Sequence, residues 1–79
     1  MSQAARTLPL RRSVSSRVVE QQEILLSLAH TRTQINQAYA GFNTASDDDL
    51  IESYVYEINA LQARYNYLLR RIKELEATV

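Results

Sequence analysis

Residues 51–79, IESYVYEINALQARYNYLLRRIKELEATV, place a large apolar side chain at every alternating three- or four-residue step. Those positions are Ile51, Tyr54, Ile58, Leu61, Tyr65, Leu68, Ile72, Leu75 and Val79, and no Gly or Pro interrupts the run. A stripe of this period follows one face of a long helix, and an apolar face of that length must be covered by another helix. The fold class therefore reads as all-α. Helix two is expected over about residues 47–77.

The chain upstream supplies a candidate cover. From Val18 onward, Leu25, Leu28, Ile35, Tyr39 and Phe42 fall on one line, with Gln21 and Arg32 interrupting it. Helix one is expected over about residues 16–42, with Ser16 as its N-cap. The break comes at Gly41-Phe42-Asn43-Thr44-Ala45-Ser46, where Gly41 and Asn43 tolerate the left-handed backbone that ends helices. The loop is set at about 43–46. Ser46 then caps helix two, with Asp47, Asp48 and Asp49 beside the positive end of its dipole and Asp49 able to reach back towards the cap.

So short a connection makes the helices antiparallel neighbours, pairing residue i with roughly residue 89 − i. That register brings Ile35 to Tyr54, Leu28 to Leu61, Leu25 near Tyr65, Arg32 beside Glu57, and Glu20 near Arg70 and Arg71. The architecture expected is an antiparallel, coiled-coil-like two-helix hairpin. One seam offers little burial to offset the ordering of about 60 residues, so the hairpin is expected to be completed by dimerisation into a four-helix bundle or by docking on a larger protein. The contact face expected for this is the line Tyr56, Ala60, Ala63 and Tyr67 on the back of helix two. There two small residues between two aromatic rings admit a second backbone.

Composition limits the chemistry. The 79 residues make one small domain, with a single Gly and a single Pro, which argues against an all-β chain. Cysteine is absent, so there is neither a thiolate nucleophile nor a Cys-based zinc site. His30 is the one histidine, and Glu20 and Glu23 lie off its i±3/4 face, so it reads as a surface residue. The acidic group Asp47, Asp48, Asp49 and Glu52 lacks the spacing of a calcium loop. With one glycine there is no phosphate-cradling loop. No cofactor, metal, small-molecule substrate or reaction is assigned, and no apolar run reaches the roughly 18–20 residues of a membrane span.

Charge is uneven although the total is zero. Residues 1–19 carry Arg6, Arg11, Arg12 and Arg17 and no acid, for +4, and the rest of the chain balances this with −4. Residues 1–15 read as a disordered basic arm ahead of a helical hairpin over 16–79. In the alternative reading the protein is a nucleic-acid-associated accessory protein whose arm arginines contact phosphate, with salt-sensitive, non-specific binding. Near the end of helix two, Arg70 is expected to pair with Glu74 and Lys73 with Glu76.

Three segments of helix two carry a resemblance: Asp49-Leu50-Ile51-Glu52, then Tyr56 through Tyr65 (YEINALQARY), then Tyr67 through Lys73 (YLLRRIK). Over about residues 35–74 the chain resembles the YaaL-like family of short bacterial proteins, chiefly from Firmicutes, a domain of unknown function. Glu52 departs from the Asp usual in that family. The resemblance implies a small cytoplasmic helical protein and carries over no catalytic residue.

Overall fold

The computed structural model describes residues 2–77, with side chains described from Ser16 onward. Two helices, α1 (Ser2–Thr44) and α2 (Asp48–Ala77), pack against each other, and no strand occurs among the described residues. The all-α hairpin is what the periodicity demands. Helix α1 begins at Ser2 rather than at Ser16, so its backbone runs through the stretch expected as an arm. That stretch lacks glycine and is rich in residues that tolerate helix, with Pro9 removing one backbone donor. The side chains of residues 1–15, Arg6, Arg11 and Arg12 among them, lie outside the described residues, as does Val79. With 43 residues against 30, α1 outruns α2 at its N-terminal end.

The turn differs from expectation in both of its caps. Helix α1 continues through Gly41 to Thr44, and no described residue, glycine included, has positive φ. The helix ends instead by satisfying its last carbonyls locally. The Ala45 amide donates to Gly41 O at 3.0 Å, and the Thr44 hydroxyl donates to Ala40 O and Gly41 O at 3.2 Å. At the start of α2 the cap is Asp47, not Ser46: its Oδ1 accepts from the Leu50 amide at 3.0 Å, the bond an N-cap makes to the third helical residue. Leu50 occupies the position from which Asp49 was expected to reach back, so no capping box forms.

On α2 the expected seam is the observed one. Ile58, Leu61, Leu68, Ile72 and Leu75 are buried, and Ile51, Tyr54 and Tyr65 are half-buried. On α1 the seam is Ile24, Leu28, Thr31, Ile35, Ala38 and Phe42. Leu28, Ile35 and Phe42 agree with the sequence reading. Val18, Leu25 and Tyr39 do not, since each is about half exposed, while Ile24, Thr31 and Ala38 take the inner places. The physical reason is volume. Tyr54 and Tyr65 project from α2 into the seam, and small residues opposite them let the helices close.

Gly41 states this most plainly. A Cβ placed there would overlap the ring of Tyr54, so the glycine provides room for an aromatic ring instead of a left-handed turn. The register moves accordingly. With Gly41 against Tyr54 and Arg32 against Tyr65, the pairing lies about seven residues, one heptad, beyond the 89 − i expected. Leu28 belongs with Leu68, Ile72 and Leu75 in one cluster, and Leu61 belongs with Ala38 and Ile58 in another.

Candidate interaction surface

A single seam leaves much apolar surface outside. Among the described residues no large side chain is fully buried, and nine large hydrophobic side chains are exposed against eight buried hydrophobic ones. For a chain with this little core, the exposed faces are the candidate site.

The back of α2 carries the expected line. Tyr56 and Tyr67 are 65% and 51% exposed, and Ala60 and Ala63 between them are exposed too. The Arg70 guanidinium lies 5.9 Å from the centre of the Tyr67 ring, within cation–π range, which orients the ring along the helix surface. Glu74, expected to hold Arg70, takes Arg71 instead at 3.4 Å.

Polar contacts across the hairpin are few and tie the two helices at defined levels. Arg71 donates from Nη2 to Glu20 Oε2 at 2.6 Å, so of the two arginines expected near Glu20 the structure selects Arg71. Arg32 does not meet Glu57. It donates to the Tyr65 hydroxyl at 2.7 Å, with its guanidinium carbon 5.7 Å from the ring centre. The heptad change of register explains the exchange of partners. The hydrogen bond to Tyr65 raises the Arg32 guanidinium above its ordinary pKa, and the bond to Glu20, assisted by Glu74, does the same for Arg71. Both cations therefore stay charged at any pH at which the fold would be studied.

One groove between the helices, about 290 Å³, is lined by Leu26, Ser27, His30, Thr31, Gln34 and Arg64. His30 is exposed, as its surface reading requires, and shares the lining of this groove with Arg64. Among the described residues no three His, Cys, Asp or Glu side chains gather in a way that could hold a metal ion. Nor, among the described residues, is any helix long and apolar enough to cross a membrane. Of the four arginines considered for phosphate contact, only Arg17 falls within the described side chains, and it is exposed.

Seam, caps and surface together define a small antiparallel helical hairpin whose distinguishing residues lie on its outer faces. The chain belongs to the family described as "Protein of unknown function (DUF2508)", whose model matches residues 10–79. The match thus extends the resemblance seen over residues 35–74 across most of α1. The domain-of-unknown-function reading holds, while the YaaL-like name rests on the motifs of α2. Neither the curated proteins nor the solved structures give a significant match.

Proposed function

We propose that the protein is a cytoplasmic helical interaction or scaffold module that acts by burying exposed helix faces against protein, with no reaction of its own. Its hairpin would be completed by self-association into a four-helix bundle, and the line Tyr56, Ala60, Ala63 and Tyr67 would dock a larger protein partner. The observation that supports this reading most is the excess of exposed over buried large apolar side chains. Exposed tyrosines also fit a contact role, because an aromatic ring buries much area for few frozen torsions and keeps a hydroxyl for the rim. No observation among the described residues favours the nucleic-acid reading over this one.

Affinity capture with the immobilised full chain, wild type beside an Ala60→Glu/Ala63→Glu variant, tests the reading. A protein retained by the wild type and lost by the variant, with helix content unchanged by circular dichroism, supports docking through this line. Retention of nothing, together with a monomeric mass by light scattering at about 100 μM, well above micromolar dissociation constants, would refute it.

A further inference from the structure

The charges that border the back of α2 find no ion-pair partner inside the hairpin. Among the described residues the two ion pairs both belong to Arg71, which holds Glu20 and Glu74. Glu52, Glu57 and Arg64 are exposed and form none, and Arg70 lies over the Tyr67 ring at 5.9 Å. At 3.6 residues per turn these four charges flank the line Tyr56, Ala60, Ala63 and Tyr67. Glu52 and Arg70, about five turns apart, lie along one edge, and Glu57 and Arg64, about two turns apart, lie along the other.

The order of these residues has a centre. Midway between Glu52 and Arg70 stands Leu61, and the midpoints of Glu57 with Arg64, Tyr56 with Tyr67, and Ala60 with Ala63 all fall within one residue of it. Each acid therefore has a cation at the mirrored place on its own edge, and each small or aromatic residue has its like.

We propose that a second copy of the chain packs on this line, by a two-fold axis perpendicular to α2 at the level of Leu61 that lays α2 antiparallel on α2. The contact is isologous, so every pairing occurs twice. Ala60 and Ala63 of both copies lie at the axis, where their small side chains let the two backbones approach. Tyr56 falls beside the other copy's Tyr67, about 8 Å to either side of the axis. Glu52 meets the other copy's Arg70, and Glu57 meets the other copy's Arg64. One like-charged pair, Asp49 with the other copy's Glu74, lies at the far ends of the contact, where Arg71 already holds Glu74 at 3.4 Å.

Charge selects the orientation. A parallel pairing on the same line would set Glu52 on Glu52, Glu57 on Glu57 and each arginine on itself, and like charges so juxtaposed oppose association. The antiparallel assembly has four helices, with the two α2 helices innermost. The inference rests on the module reading and gives its line to a second copy, which any larger partner of that line would have to displace.

Two charge variants of the full chain test it, each altering exposed residues outside the seam. Glu52→Arg/Glu57→Arg makes both edges basic, and Arg64→Glu/Arg70→Glu makes both acidic. Light scattering over a dilution series should give twice the 9.1 kDa chain mass for the wild type at about 100 μM. Either variant alone should need about tenfold or more concentration to dimerise, with helix content by circular dichroism unchanged. An equimolar mixture of the two should dimerise as the wild type does, since every edge contact then joins an acid to a cation. The chain carrying all four changes should do the same.

A dimer that either variant leaves unweakened, or a mixture that fails to restore it, overturns this face while leaving the module reading standing. A wild-type monomer overturns it too. In that case affinity capture decides separately whether the module reading survives through a larger partner.

Discussion

Gly41 and Tyr54 offer the sharpest test of the packing. In an isolated helix Gly41→Ala should stabilise by about 1 kcal/mol, because alanine lowers the backbone entropy lost on folding and is the best helix former. Gly41 lies inside α1 with ordinary helical φ, so that gain is available here. The added methyl, however, overlaps the Tyr54 ring, which is wedged between α1 and the cluster of Ala38, Ile58 and Leu61. Displacing a packed ring or spreading the helices costs about 1–3 kcal/mol, the usual range for overpacking. Gly41→Ala should therefore be neutral to destabilising by about 2 kcal/mol in the wild-type background, the propensity gain being offset by the clash. In a Tyr54→Ala background the obstacle is gone, and the same substitution should stabilise by about 1 kcal/mol. Urea unfolding of the four proteins, followed by circular dichroism at 222 nm and fitted with a common slope, gives the coupling energy directly. A coupling of about 1–3 kcal/mol is expected from the clash alone. Equal stabilisation by Gly41→Ala in both backgrounds would refute the contact, and with it the register that places Tyr54 on Gly41.

Three further measurements probe other parts of the fold. Ala38→Leu should cost about 1–3 kcal/mol because Ala38 is 3% exposed in the seam. Tyr39→Leu beside it should stay within about 0.5 kcal/mol of wild type, and the reverse order would restore the seam read from sequence. Asp47→Ala should cost about 1 kcal/mol as the loss of an N-cap. Ser46→Ala should be nearly silent, and equal losses in urea melts would contradict the assignment of the cap. Glu20→Gln should lower the melting temperature slightly in dilute buffer and make no difference near 1 M salt, where the screening length is about 3 Å. The raised Arg32 and Arg71 pKa values mean that whatever these cations contribute is fully present throughout the neutral range. It is lost only as pH rises through their elevated values at strongly alkaline pH, so a pH scan from 6 to 9 should show no step from either.

The second helix was almost wholly legible because its seam residues are all large: a period of 3,4 filled by Ile, Leu and Tyr has one reading. The first helix was harder for a specific reason. Its inner positions alternate Leu28, Ile35 and Phe42 with Ile24, Thr31 and Ala38, while Leu25 and Tyr39 sit one residue away. Hydrophobicity favours Leu25 and Tyr39 over Thr31 and Ala38, yet packing favours the smaller residues because the partner face already carries tyrosines. The signal was present as an unbroken 4,3,4,3,4 ladder from Ile24 to Phe42, but reading it requires weighing size against the opposite helix. The cap lies one residue beyond Ser46 for a similar reason. Ser46 and Asp47 are both good N-caps, and the choice depends on where the backbone leaves α1. Of the candidate contact face, Tyr56 and Tyr67 stand outside as their spacing implies, whereas the apolar side bearing Leu25, Tyr39 and Val55 emerges only once the seam of α1 is known.

The same tyrosines explain why this hairpin has one register. In a seam of leucine against leucine every heptad resembles the next, so sliding one helix by seven residues changes little. Here the slide is costly. In the pairing of i with roughly 89 − i, Tyr54 would face Ile35 and Tyr65 would face Ile24, large against large at both levels. One heptad further, Tyr54 stands level with Phe42 but has room for its ring against Gly41, and Tyr65 lies at the level of Thr31, where Arg32 can also close a hydrogen bond on its hydroxyl. Moving back would therefore forfeit the room that Gly41 and Thr31 give the two rings, and a polar contact with it. The hairpin holds its register by volume and not by charge, since its cross-helix ion pair, Glu20 with Arg71, is partly exposed and screened. The scaffold role proposed above would need this property more than a deep core. With register fixed by Gly41, Thr31, Tyr54 and Tyr65, the outward residues Leu25, Tyr39, Val55, Tyr56 and Tyr67 keep constant positions relative to one another even though the seam beneath them is one layer thick.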